Sequence, residues 1–148
     1  MKDRSPHRVS GRRRKLQGPP EGEPWVWLTR ELMCSAAFRA RSVSLRRLID
    51  FLLCEHMNHA GKENGNLKAT HKQLQLWGVS KNCISNAIQE GIFLGLLRFE
   101  RGGRWGMCKT PSLFRLTFLP YQNLSPPSNE WKSRTEAEIA QWKMERRA

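Results

Sequence analysis

Five polar side chains between residues 81 and 89 have the types and spacing to read the edges of nucleic-acid bases. Lys81, Asn82, Ser85, Asn86 and Gln89 are separated by one, three and four residues, so on a helix they share one face. Asn and Gln each carry a donor and an acceptor that pair with adenine. A lysine ammonium suits the acceptors of guanine, and a serine hydroxyl suits several bases or a phosphate. The intervening Ile84, Ala87, Ile88, Gly91 and Phe93 or Leu94 form an apolar stripe that must face a core. Glu90 falls near the edge of the polar face, where a carboxylate would repel phosphate. The competing reading is a packed helical hairpin whose polar face meets only water.

Positioning that face requires an entry turn. Thr70 and Gln73 spell a capping box that opens a short helix at His71, with Leu74 and Trp77 on one side. Gly78 stops it, because glycine takes the left-handed conformation past a last turn without steric cost. Val79 is expected to be buried, and Ser80 to cap the helix that begins at Lys81. After that helix, residues 96–101 alternate apolar and polar with the period of a half-buried strand. Gly102 and Gly103 suggest a turn, residues 104–111 a loop, and residues 112–119 a second alternating strand that ends at Pro120. Arg101, Arg104 and Lys109 then surround Trp105 at the tip of a hairpin. The tip reads either as a phosphate grip or as a solubilising loop. Trp105 reads as the hairpin's own packing residue or as a wedge against sugars.

Gly78-Val79-Ser80, Ile84-Ser85 and Ala87-Ile88 resemble the helix-turn-helix of DNA-binding proteins, and the hairpin that follows resembles the wing of winged-helix proteins. Leu74 departs from the compact members, which carry a smaller residue there; the wider crossing of winged variants accommodates it. The run Glu55-His56-Met57 to Glu63-Asn64-Gly65, followed by Leu67, is similar to small helix-turn-helix proteins of bacterial, phage or mobile-element origin. The resemblance implies an α+β, mostly helical fold: a winged helix-turn-helix with a three-helix core, a small antiparallel β-hairpin wing, and extra N-terminal and C-terminal helices. It also implies DNA binding, with Ser80 added to the five helix residues and backbone contact carried onto Arg101, Arg104 and Lys109.

Charge favours the same partner. The 148-residue chain carries a net +13 with a pI near 10.5, and residues 24–120 alone carry +8. A basic folded segment favours a polyanion, since each cation beside a phosphate releases a condensed counterion. Residues 1–23 read as a disordered basic arm in which Arg12, Arg13, Arg14 and Lys15 either follow the DNA backbone or form a solvated extension. Residues 24–120 read as the DNA-binding domain, and residues 121–148 as a Pro/Ser linker and a C-terminal helix opened by the Thr135/Glu138 capping box. That helix has a narrow apolar stripe fit to dock on the domain or on a second copy.

Within the domain, Trp25 and Trp27 are expected to pack as a cover, with stacking on single-stranded bases as the alternative. Thr29 should cap a short helix reaching Phe38, and Ser42 or Ser44 should start a long helix with Leu45, Leu48, Ile49, Leu52 and Leu53 inward. His56 and His59 beside Cys54 lack metal-site spacing, and a histidine at a helix C-terminus is favoured by the dipole. Cys34, Cys54, Cys83 and Cys108 are too dispersed for paired ligands and read as reduced thiols. There is no bilayer-length apolar run, and the charged N-terminal stretch lacks the hydrophobic segment of a secretory signal, so neither a membrane span nor secretion is expected.

The resulting expectation is a sequence-preferring double-stranded DNA-binding protein, a transcriptional regulator in the cytoplasm at the nucleoid, without cofactor, metal or small-molecule ligand. A homodimer is a further expectation. The alternative is a protein-docking or assembly module of a plasmid or phage replication-initiation or excision complex. The ordered part lacks a phosphate-binding glycine loop, a nucleophile elbow and a closely spaced acidic pair, so catalysis is not expected.

Overall fold

The structure, a computed structural model, describes residues 18–122 and 124–147; Arg12, Arg13, Arg14 and Lys15 lie outside the described residues. The protein is α+β, with six α-helices and a small antiparallel sheet among those residues. Trp25 and Trp27 are not a buried cover: they are 51 % and 71 % exposed, with ring centroids 5.5 Å apart. The expected single helix after Thr29 is divided into α1 (Arg30–Cys34) and α2 (Ala36–Arg39). Ser35 makes the break, donating its hydroxyl proton to Leu32 O at 2.6 Å and accepting from Phe38 N.

The long helix α3 (Val43–Asn58) starts at the N-cap Ser42 and presents Leu45, Leu48, Ile49 and Leu52 to the core, each without exposed surface. Beyond it come β1 (Leu67–Lys68), α4 (His71–Leu76) and α5 (Lys81–Phe93). The capping box at Thr70 and Gln73 forms as its sequence implies. Between α4 and α5, Val79 N–H reaches back to Leu74 O and Gly78 N–H to Gln75 O, with Gly78 at φ +84°. This pairing closes a helix through a left-handed residue, and the apolar contact that usually accompanies it comes from Leu74 and Val79, both buried. Arg47 of α3 clasps the turn from outside, its Nη1 donating to Gly78 O at 2.5 Å.

Glu90 does not sit at the edge of the polar face. It is 6 % exposed and turned into the protein, where its carboxylate accepts from Ser42 N (2.9 Å) and Ser42 Oγ (2.5 Å) at the start of α3. A carboxylate there complements the positive end of the α3 dipole and ties α5 to α3. The two helices also approach closely at Gly91, where a Cβ would stand 2.6 Å from Leu97 Cδ2 and 3.0 Å from Leu45 Cδ1.

The sheet has the order β1–β5–β2, all antiparallel, with β2 (Leu97–Glu100) and β5 (Leu113–Leu116) in register from Leu97↔Leu116 to Glu100↔Leu113. Phe114 and Leu116 join the core. The connection is a second, two-stranded ribbon of β3 (Arg104–Trp105) and β4 (Cys108–Lys109). Its turn therefore lies at Gly106 and Met107, not at Gly102 and Gly103. Those two glycines run alongside the returning chain, bonded to Ser112 Oγ and Thr110 Oγ1.

Asn64, which with Gly65 makes a turn signal in the sequence, is 1 % exposed. Its Nδ2 donates to Leu116 O, Leu119 O and Pro120 O, and its Oδ1 accepts from Leu116 N, so it pins β5 to the loop before β1. His56 is likewise buried, its Nδ1 without a hydrogen-bond partner among the described residues, and burial holds its pKa below the ordinary value.

The C-terminal residues pack on the same core. Asn129 N–H bonds Thr117 O, and a 3-10 helix (Glu130–Ser133) buries Trp131 while Glu130 pairs with Arg98 and Arg115. In α6 (Glu136–Glu145), Ile139 is buried and Trp142 stacks on Phe93 of α5 with centroids 4.6 Å apart and planes 5° apart. The narrow stripe of this helix thus docks on its own chain. Among the described residues no helix is long and apolar enough to cross a membrane.

Candidate nucleic-acid interface

α5 is oriented from within. Ile84, Ala87, Ile88 and Gly91 face the core, which leaves Lys81, Asn82, Ser85, Asn86 and Gln89 exposed on the other side. Ser80 is exposed at the N-cap position, yet its hydroxyl makes no capping bond. The first turn of α5 therefore relies on its backbone, where Cys83 N–H bonds Ser80 O, and on solvent for its remaining donors. Positive potential at a helix N-terminus adds to the Lys81 charge beside it.

Across from α5 stands the ribbon. A groove of about 1090 Å³ runs between them, and Ser85 and Gln89 line one wall while Arg101, Arg104 and Lys109 line the other. Ile88, Ile92, Phe99 and Pro111 contribute apolar surface to it. Five of the residues singled out from sequence thus share one concavity. Ser80, Lys81, Asn82 and Asn86 lie on the exposed face of α5 outside its walls.

Lys68 and His71, at the end of β1 and the start of α4, also line the groove, and no acidic side chain among the described residues lines it. Sequence reasoning missed both. The signal available for Lys68 was its alternation with buried Leu67, which points it away from the core.

The ribbon is built against its own charge. Arg104 lies directly opposite Lys109 in the ladder, and Trp105 opposite Cys108. Like charges facing one another across an antiparallel pair repel, and an anion placed between them relieves that repulsion. Trp105 does not pack within the hairpin: it is 88 % exposed, and Met107 at the turn is 97 % exposed.

A residue from the far end of the chain also reaches this surface. Arg146, which caps the C-terminus of α6, donates from Nη2 to Asn86 Oδ1 at 3.0 Å and to Gln89 Oε1 at 2.9 Å. Both amides remain exposed beneath it. Sequence alone gives no signal for this contact, which spans 60 and 57 positions. No protein-family model matches the chain, and comparisons with curated proteins and with solved structures find no match either.

Proposed function

We propose that the protein is a winged helix-turn-helix that binds double-stranded DNA with sequence preference and acts as a transcriptional regulator, without catalysis of its own. α5 would enter the major groove, with Lys81, Asn82, Ser85, Asn86 and Gln89 toward the base edges. The β3–β4 ribbon would lay Arg101, Arg104 and Lys109 along a neighbouring phosphate backbone. The observation that carries this reading is the groove, which joins the uncharged, hydrogen-bonding wall of α5 to a wall of cations. Major-groove recognition needs that division, since base contacts specify while phosphate contacts supply affinity and register. The order β1–β5–β2 around α3, α4 and α5 supports the winged arrangement; the resemblance implies DNA binding alone, and regulation is the outcome proposed for that binding. The N-terminal Arg12, Arg13, Arg14 and Lys15 would add affinity with little specificity.

The test is selection of bound sequences from a random duplex pool, followed by affinity measurements on the enriched site and on mixed-sequence DNA. Lys81→Ala and Asn82→Ala should each weaken the enriched site by about tenfold and mixed DNA by less. Removal of residues 1–15 should weaken both alike. Equal losses on both sequences in the Lys81 and Asn82 variants would remove base reading from this helix. The alternative of a docking module in a nucleoprotein assembly draws on the exposed Trp25, Trp27 and Met33 and predicts weak binding to bare DNA.

A further inference from the structure

The contact between α6 and the exposed face of α5 has a chemical consequence for what that face can recognise. An Asn or Gln side chain reads adenine by using both ends of its amide at once, the oxygen accepting from N6 and the amino group donating to N7. In this protein each of the two oxygens already accepts one hydrogen bond, which leaves it a single lone pair. A single nitrogen, Arg146 Nη2, stands 3.0 Å from Asn86 Oδ1 and 2.9 Å from Gln89 Oε1, so an adenine amino group bonding either oxygen would have to sit beside a cationic donor. The amino group and the guanidinium are both donors, and neither can satisfy the other.

Arg146 is held there by more than the two amides. Its guanidinium carbon lies 4.7 Å from the Trp142 ring centroid, and Trp142 is itself stacked on Phe93 at the C-terminal end of α5. Arg134 reinforces the same junction, its Nε donating to Phe93 O at 2.6 Å. The chain of contacts starts and ends on α5, so Arg146 is fixed relative to the helix it modifies.

On the DNA-binding reading proposed above, we propose that Arg146 is a positioning residue that sets base preference: by placing a donor on the oxygens of Asn86 and Gln89 it turns their amino groups into the favoured probes and disfavours a second donor there, biasing α5 toward guanine over adenine. The outward hydrogen-bonding groups are then the two amide NH₂ groups, the Lys81 ammonium and the remaining N–H groups of Arg146. Guanine presents two adjacent acceptors, O6 and N7, in the major groove, whereas adenine places a donor beside its N7. A surface of donors fits the first and clashes with the second.

The experiment is selection from a random duplex pool with the full chain, comparing wild type with Arg146→Met and Arg146→Lys; Asn86→Ala and Gln89→Ala identify the base positions concerned. Wild type is expected to enrich guanine at those positions. Arg146→Met, which keeps an apolar stem over Trp142 but frees both oxygens, should shift the guanine-to-adenine ratio there by about tenfold toward adenine. Arg146→Lys should preserve charge and salt dependence but still shift the ratio, since the lysine stem ends one bond short of Nη2, the atom that meets both oxygens. Circular dichroism should be unchanged in both variants, as Arg146 is exposed. An unaltered motif in Arg146→Met overturns the proposal. So does a wild-type motif in Arg146→Lys, which would make the effect one of charge, or a uniform gain of affinity in Arg146→Met, which would make Arg146 a latch. Wild-type protein that enriches no sequence at all overturns the DNA reading itself.

Discussion

The two walls of the groove are held by opposite means. α5 is buried along one face, joined to α3 through Glu90 and Ser42, closely packed at Gly91 and overlaid by Arg146. The β3–β4 ribbon has two residues in each strand, exposed side chains throughout, and two cations facing one another in its ladder. Base reading requires donors and acceptors held in fixed positions, which a packed helix supplies. Backbone neutralisation requires a charge within reach of a phosphate, which a lightly held ribbon supplies. On the proposed DNA-binding reading, the contrast teaches that specificity would fall to the tightly packed element and affinity to the lightly held one.

Substitutions can break this contrast at graded cost. The largest expected effect is at Asn64, whose side chain anchors β5 as it returns from the ribbon. Asn64→Ala leaves Leu116 N–H and three carbonyls without their partner and should cost about 3 kcal/mol, read as a lowered midpoint in urea unfolding with unchanged slope. The same small change in the two walls should then differ sharply. Gly91→Ala forces a methyl against Leu97 and Leu45 and should cost about 2 kcal/mol. Gly103→Ala, where a Cβ meets nothing within 4 Å, should change stability by less than about 0.5 kcal/mol. Equal effects at both glycines would contradict the assignment of rigidity.

A smaller, pH-dependent effect is expected under α3. Burial lowers the pKa of His56 from its ordinary 6.5, so the folded protein resists taking up that proton. Above 6.5 neither state is protonated and nothing is lost. As pH falls below it the unfolded chain binds a proton that the folded chain does not, and stability declines until the lower folded pKa is passed. Thermal midpoints should therefore fall between pH 7.5 and pH 5.5, and His56→Leu should flatten that dependence (pH values about those limits). The smallest stability change belongs to the ribbon. Arg104→Ala should be neutral or stabilising by about 0.5 kcal/mol through relief of its repulsion with Lys109, while reducing the salt slope of DNA binding by about one.

The parts legible in the sequence were those with a local signature. The apolar stripe of α3, the capping boxes at Thr70 and Thr135, the turn at Gly78 and the alternation through β2 and β5 each involve residues within four positions of one another. The features that escaped are long-range pairings of polar groups. Glu90 looked like a surface carboxylate because Ser42 lies 48 positions away, Asn64 looked like a turn because its partners lie 52 to 56 positions away, and nothing near Arg146 announces Asn86. Periodicity reports which face is buried, not which polar group will be brought in to satisfy another. The ribbon's turn was misplaced for a related reason: Gly102-Gly103 has turn composition, but Gly102 serves close approach, since a Cβ there would meet Thr110 O at 2.2 Å, while one on Gly103 would meet nothing within 4 Å.

The most direct measurement is the affinity of the full chain for a labelled mixed-sequence duplex as salt is raised from about 50 to about 200 mM. With Arg101, Arg104 and Lys109 at phosphates and Lys81 in the major groove of the DNA, the log–log slope should be steeper than about −3. A flat dependence would contradict DNA binding by this surface.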